Sequence, residues 1–132
     1  MPDDAQTLGF IERAYAARID DDRDALAALW ALGATYRMAG DPALLGAFPT
    51  GPDEAGKVVG ELIEQVRFER AERLDAIVAD GRAAIRWRAD LSVRGGPVVT
   101  TEICDFWTLN EDGRATELVQ FIDTALLKQL LA

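Results

Sequence analysis

Residues 85–91 of this 132-residue chain read IRWRADL and alternate strictly between apolar and charged side chains. The apolar positions are Ile85, Trp87, Ala89 and Leu91. The charged positions between them are Arg86, Arg88 and Asp90. Because successive side chains of a strand point to opposite faces, the stretch predicts a β-strand that is covered by the core on one face only. Which face is covered decides whether the charged residues belong to a functional site or to the surface.

Three turn signals divide the chain around this strand. They are Asp80-Gly81 before it, Arg94-Gly95-Gly96 after it and Asp112-Gly113 further on. Short glycine-containing turns of this kind connect adjacent antiparallel strands. The second half of the chain is therefore predicted to be a four-stranded antiparallel meander.

The turn after the opening strand leaves two registers open. If Gly95-Gly96 is a two-residue turn, the charged side chains share a face with Asp105. If residues 94–96 form a three-residue loop, the pairing slips by one and Trp87 lies opposite Ile103. The second register aligns two apolar faces, whereas the first would bury three charges at a cost of several kcal/mol. We therefore favour the three-residue loop, which places the charged residues on the outside.

Helical periodicity dominates the first half of the chain. The first helix has apolar residues at Leu8, Ile11, Tyr15 and Ile19. A second helix from Asp24 has Leu26, Leu29 and Trp30 on one face. A third helix begins at Pro52, has Asp53 and Glu54 in its first turn, and carries the apolar stripe Val58, Val59, Leu62, Ile63 and Val66. Between the second and third helices, residues 34–38 predict a short strand and the Gly- and Pro-rich residues 40–51 predict a loop.

Helices in the first half and a meander in the second predict an α+β fold. The N-terminal helices would pack on one face of a curved antiparallel sheet and close it into a cone. No linker or low-complexity segment divides the sequence, so residues 1–132 are predicted to form a single domain.

Composition narrows the classes of function. The chain has no histidine and one cysteine, Cys104, so it lacks the residues for Cys-His zinc sites, Ser-His-Asp triads and Cys-His nucleophile pairs, and we expect no metal site. A net charge of -9 argues against nucleic acid and anionic membranes as partners. Without an apolar run of membrane length or a signal-like N-terminus, the chain is expected to be cytoplasmic. Its expected partners are small molecules or a second copy of itself.

The N-terminal helix with Tyr15 and three further segments resemble the nuclear transport factor 2-like superfamily, which includes ketosteroid isomerase, limonene epoxide hydrolase, scytalone dehydratase and SnoaL-like polyketide cyclases. Residues 24–38 (DALAALWALGATYRM) and 103–123 (ICDFWTLNEDGRATELVQFID) resemble parts of ketosteroid isomerase. Residues 123–131 (DTALLKQLL) resemble SnoaL-like proteins. The resemblance implies a SnoaL-like domain, a cone-shaped barrel with an internal hydrophobic pocket, and a homodimer.

The resemblance also implies site residues. Tyr15 and Asp105 fall on the tyrosine and the protonated aspartic acid that form the oxyanion hole of ketosteroid isomerase. Its general-base position falls on Met38, and Asp41, which precedes a proline as that base does, is the candidate replacement. The expected substrate-binding residues are Trp30, Met38, Trp87, Ile103, Trp107, Leu118, Gln120 and Ile122. Arg88-Ala89-Asp90 resembles the Arg-x-Asp pair of limonene epoxide hydrolase, whose third member falls on Gln120.

Two functions remain open from the sequence. The first is a cofactor-free enzyme that acts by acid-base chemistry on a small apolar carbonyl or epoxide compound, with Tyr15 and Asp105 donating hydrogen bonds to an oxyanion. The second is a non-catalytic binding module for a small hydrophobic ligand that has lost the base. In both, Asp105 on a covered strand face is expected to have a raised pKa and to be protonated at neutral pH.

Overall fold

The structure, a computed structural model, describes residues 2–40, 43 and 55–132. The helices of this part of the chain with described bounds are α1 (Asp4–Ile19), α2 (Arg23–Ala27), α3 (Ala55–Gln65) and α4 (Thr124–Leu131). The strands are β1 (Trp30–Ala39), β2 (Val66–Ala79), β3 (Arg82–Val93), β4 (Val99–Leu109) and β5 (Ala115–Ile122). This arrangement confirms the predicted α+β class.

The strands form a sheet in the order β1-β5-β4-β3-β2. Strands β2 to β5 pair antiparallel with their neighbours, which confirms the predicted meander. β1 instead pairs parallel with β5, so the sheet is mixed and not antiparallel throughout. The reason is the connection: the chain leaves β1 and passes through α3 to the opposite edge, and the meander then returns it beside β1. With β1 and β2 at the two edges, the sheet is open, where a closed cone was expected.

The register between β3 and β4 follows the three-residue loop. Trp87 lies opposite Ile103, and Arg94 and Gly95 in the connection both have positive φ, 51° and 75°. The apolar face of β3 is buried, while Arg86 and Arg88 are exposed on the other face. Apolar side chains on both strands thus face the core together, as the favoured register predicts.

Two predicted helix boundaries were wrong. The second helix ends at Ala27, and Trp30 begins β1 instead of lying on a helix face. β1 starts four residues before the predicted strand because β5 offers a pairing partner there: Trp30 pairs with Ala115. A bulge follows at Gly33, whose φ of 75° suits glycine.

The third predicted helix is α3, although Val66 belongs to β2. The residues assigned to its first turn, Pro52, Asp53 and Glu54, lie outside the described residues, as does most of the predicted loop 40–51. Its described stripe side chains Val59, Leu62 and Ile63 are buried.

The core lies between the helices and the inward face of the sheet. α1 packs mainly on β2, and α3 packs on β1 and β2. α1 begins with a capping box in which Asp3 and Gln6 exchange hydrogen bonds, which fixes where the helix starts. Among the described helices, none is both long and apolar enough to cross a membrane.

Candidate functional site

Four polar side chains meet inside the fold. Tyr15 of α1 donates a hydrogen bond to Asp105 Oδ2 on β4 at 2.5 Å. Gln120 of β5 donates to Asp105 Oδ1 at 3.0 Å and to the Tyr15 hydroxyl at 3.3 Å. Tyr36 of β1 completes the network by donating to Gln120 Oε1 at 2.7 Å. All four are buried, so the network links a helix to three strands inside the fold.

Strand register places these residues together. Asp105 and Gln120 are direct partners in the β4–β5 pairing, and β1 brings Tyr36 to the same inward face beside β5. Tyr15 reaches them from above because it lies on the buried face of α1, where its ring stacks on Trp87 at 3.9 Å between centroids. A helix residue thus completes a site whose other members come from the sheet.

The Asp105 carboxyl is held by a third donor, the Trp107 indole N–H at 3.2 Å from Oδ2. The Trp87 N–H is buried without a hydrogen-bond partner; it lies near enough to favour the ionised carboxylate but not in hydrogen-bonding geometry. We therefore count three hydrogen bonds to the carboxyl, from Tyr15, Gln120 and Trp107. These occupy both of its oxygens.

Burial raises the pKa of Asp105 to about 6, and the hydrogen bonds from Tyr15, Gln120 and Trp107 oppose a larger rise. A raised pKa of Asp105 was predicted from the sequence. At this pKa, however, the ionised form predominates at pH 7, whereas the protonated form was expected. Burial, with the nearby Asp105, raises the pKa of Tyr15 well above its usual value, and burial also raises the pKa of Tyr36. The tyrosines are therefore neutral donors, and Asp105 is the group of this network that titrates near neutrality.

A cavity opens beside this network, between the helices and the inward face of the sheet. Its volume, measured as the space open to the centre of a water-sized sphere, is about 50 Å³. The predicted site residues that line it are Tyr15, Trp30, Met38, Trp107, Leu118, Gln120 and Ile122. Asp105 is fully buried and does not line the cavity, but its hydrogen-bond partners Tyr15 and Gln120 do. The predicted base Asp41 lies outside the described residues.

Two other predicted binding residues lie behind the cavity wall. Trp87 and Ile103 face inward and are buried, but neither lines the cavity. Trp87 instead supports the Tyr15 ring from below. Trp87 therefore contacts Tyr15, which lines the cavity, and does not line the cavity itself.

Sequence reasoning missed Arg18, Tyr36 and Phe68, all of which line the cavity. Arg18 follows Tyr15 by three residues and Ile11 by seven, so helical periodicity alone puts it on the buried face of α1. Tyr36 alternates with Met38 on β1, and the same period-two argument would have found it.

The pair that resembles the epoxide hydrolase motif lies away from the cavity. Arg88 is exposed and contacts Glu72 at 3.5 Å, and Asp90 accepts a hydrogen bond from Thr100 at 2.6 Å on the outer face. Neither residue lines the cavity. The three-residue loop after β3 is the cause, because it sets the face on which these charges lie.

An open sheet with helices over one face and a cavity between the layers is the architecture of nuclear transport factor 2-like proteins. The SnoaL-like domain family matches residues 11–118 of this chain, which is most of its length. The chain belongs to that family.

Solved structures share the fold at low sequence identity. A provisional isomerase from Rhodopseudomonas palustris superposes with a TM-score of 0.76 at 22% identity over 95% of each chain. An LEH-like epoxide hydrolase of M. tuberculosis gives 0.74 at 17% identity, covering 98% of this chain and 92% of that one. A provisional SnoaL-like polyketide cyclase from Jannaschia sp. CCS1 superposes with a TM-score of 0.74 at 17% identity, covering 98% of this chain and 94% of that one. No curated protein sequence matches the chain.

Proposed function

We propose that this protein binds a small, mostly apolar carbonyl compound in the cavity and catalyses a cofactor-free proton transfer on it. The observation that carries the proposal is the hydrogen bond between Tyr15, which lines the cavity, and Asp105, whose pKa is raised to about 6. A buried carboxyl that titrates near neutrality beside a cavity is the kind of group that acid-base catalysis uses. The epoxide class has less support, because Arg88 and Asp90 lie on the outer face.

The Tyr15 hydroxyl would stabilise the oxyanion that forms when a proton leaves the carbon next to the carbonyl group. In the free protein this hydroxyl donates to Asp105. Once Asp105 takes up a proton, its own hydroxyl can donate to the Tyr15 oxygen, and the Tyr15 hydrogen is free to turn toward the substrate oxygen. In a dry, preorganised site such a donor stabilises developing negative charge more strongly than water does.

The base that removes the proton from carbon would be Asp41. Within the described part of the chain, no carboxylate lines the cavity, and the position of the ketosteroid isomerase base is occupied by Met38, which does line it. A base is required because the oxyanion donors only stabilise the charge that its proton abstraction creates. Asp41 was the candidate from sequence, and it keeps that role in the proposal.

The test is hydrogen–deuterium exchange at the α-carbon of 2-tetralone, followed by NMR in D₂O. We expect the protein to accelerate exchange and Tyr15→Phe to slow it by about 10²-fold, the effect of losing one oxyanion donor. Asp41→Asn should abolish the acceleration. Arg88→Ala, on the outer face, is the matched control and should exchange at the wild-type rate. Exchange by Tyr15→Phe at the wild-type rate would refute the assigned role.

A second candidate function is a non-catalytic binding module. It is favoured by Met38, which replaces a base with an apolar wall residue in the cavity. This function predicts that 2-tetralone binds and that its α-protons exchange no faster than in buffer. Binding measured by calorimetry beside the exchange rate therefore separates the two functions.

A further inference from the structure

Arg18 is a buried cation in the wall of the cavity. It lies in the last turn of α1 and is only 7% exposed. Its Nη2 donates to the Val66 carbonyl at 2.7 Å, and its guanidinium carbon lies 4.6 Å from the centroid of the Phe68 ring. Its Nη1 is buried and has no hydrogen-bond partner. One carbonyl and one aromatic face therefore hold the side chain, and part of its donor capacity is unused.

Arg18 makes no ion pair within the described residues; Asp21 favours its charged form without forming one. A buried guanidinium stays charged at physiological pH, and burying it without a negative partner is unfavourable. Several exposed arginines of this chain do pair; Arg73, for example, contacts Glu12 at 2.9 Å. A buried charge left without a partner beside a cavity is what a site for an anionic ligand requires.

A second cavity-lining donor is also unused. The Trp30 indole N–H is buried without a partner in the described structure. Both unsatisfied polar groups of the described wall are thus donors, which calls for a ligand rich in acceptors. Tyr15 lies one helical turn before Arg18, so the Cβ atoms of the two residues are roughly 5–6 Å apart.

We propose that the ligand of this cavity is an organic anion, an apolar molecule whose carboxylate is bound by Arg18, with Trp30 as an additional donor. The inference rests on the proposed function in taking the cavity as the ligand site, and it adds the substrate class. Arg18 and Tyr15 both line the cavity, so one ligand can contact both through a carboxylate and a carbonyl group. The substrate is then an apolar keto acid.

The test compares acids with their uncharged amides. Binding of benzoate, benzamide, 2-naphthoate and 2-naphthamide is measured by calorimetry at pH 8, where both acids are ionised. A charged hydrogen-bonded pair in a buried site should make the better-fitting acid bind at least about tenfold tighter than its amide. Equal affinity within both pairs, or no binding by either acid, would overturn the proposal.

Two variants assign the preference to Arg18. Arg18→Met removes the charge but keeps a long apolar side chain beside Phe68, and it should reduce the preference for acid over amide to near onefold. Arg18→Lys keeps the charge and should retain part of the preference for acid over amide. Arg88→Ala, which removes an exposed arginine of the same chain, should leave the preference unchanged. If Arg18→Met is too unstable to purify, the acid–amide comparison on the wild-type protein still decides whether an anion is preferred.

A purely structural role of Arg18 would have a different result. Arg18→Met would then lower the unfolding midpoint while the acid preference persisted, which refutes the proposal. Failure here is also separable from failure of the proposed function. Exchange of the neutral 2-tetralone tests Tyr15 and Asp41 without Arg18, whereas acid–amide selectivity tests Arg18 whether or not exchange occurs.

Discussion

At the scale of single residues, Asp105 couples the site to pH. Its folded-state pKa of about 6 exceeds the value of about 3.9 expected in an unfolded chain. The folded state therefore binds this proton more tightly than the unfolded state. The stabilisation that results is complete below about pH 4 and is lost as the pH rises through about 6.

We predict that Asp105→Asn removes this pH dependence. The difference in unfolding free energy between wild type and variant should change by on the order of 2 kcal/mol from pH 4 to pH 7, with wild type losing stability as the pH rises. Urea denaturation across this range measures it, and using the difference cancels the titration of the other carboxyls. Parallel pH curves for the two proteins would mean that Asp105 has an ordinary pKa.

At the scale of elements, β3 separates an outer charged face from an inner apolar one. Arg88→Ala should lower the unfolding free energy by less than about 1 kcal/mol, because its contact with Glu72 is exposed. Its neighbour Ala89 is fully buried, so Ala89→Asp should cost several kcal/mol or prevent folding. Chemical denaturation of both variants measures the contrast. A large loss in Arg88→Ala would contradict the assigned register.

Two glycines test backbone conformation with little influence from packing. A Cβ added at Gly60 in α3 or at Gly33 in β1 would meet no atom within 4 Å. Gly60→Ala should stabilise the protein by about 0.5–1 kcal/mol, because alanine favours a helix interior. Gly33→Ala should destabilise it by about 1–2 kcal/mol, since φ there is 75°. Thermal unfolding of the two variants measures both changes in stability. Stabilisation by Gly33→Ala as well as by Gly60→Ala would rule out the left-handed conformation at Gly33.

At the scale of the whole molecule, the outer face of the sheet carries an apolar row that crosses four strands. Ile77, Ala84, Phe106 and Val119 are successive partners across β2 to β5. Phe121 packs edge-on against Phe106, with ring centroids 5.6 Å apart, and both rings are 44% exposed. An apolar patch of this kind is typical of a protein interface.

We propose that this outer row forms the interface of the expected homodimer. Light scattering should give twice the monomer mass, and Phe106→Asp should shift the protein toward monomer, because it places a charge in the interface. Val98→Asp, which changes an exposed apolar residue of the β3–β4 loop, should leave the mass unchanged. A monomer mass for the wild-type protein at all concentrations would exclude the dimer.

Much of this molecule could be predicted from local patterns. The alternation in residues 85–91 left two registers open, and matching the apolar faces of the two strands favoured the one in which Trp87 lies opposite Ile103 and Arg88 points outward, which the structure has. Helical spacing placed Tyr15 inside, and Asp105 followed from its strand face. Alternation and helical spacing depend on residues close in sequence, and the register followed from the cost of burying charge.

Other features were decided only when distant elements met. Helical spacing assigned Trp30 to a helix, whereas pairing with β5 makes it the first residue of β1. β1 is parallel to β5 because the four-stranded meander ends beside it. Arg18 is a helix-end arginine by sequence, and its burial depends on Val66 and Phe68 of β2. Local pattern determined the turns of the meander and which face of β3 is apolar. Tertiary packing decided which residues border the cavity, because burial and pairing free energies are summed over contacts between residues far apart in the chain.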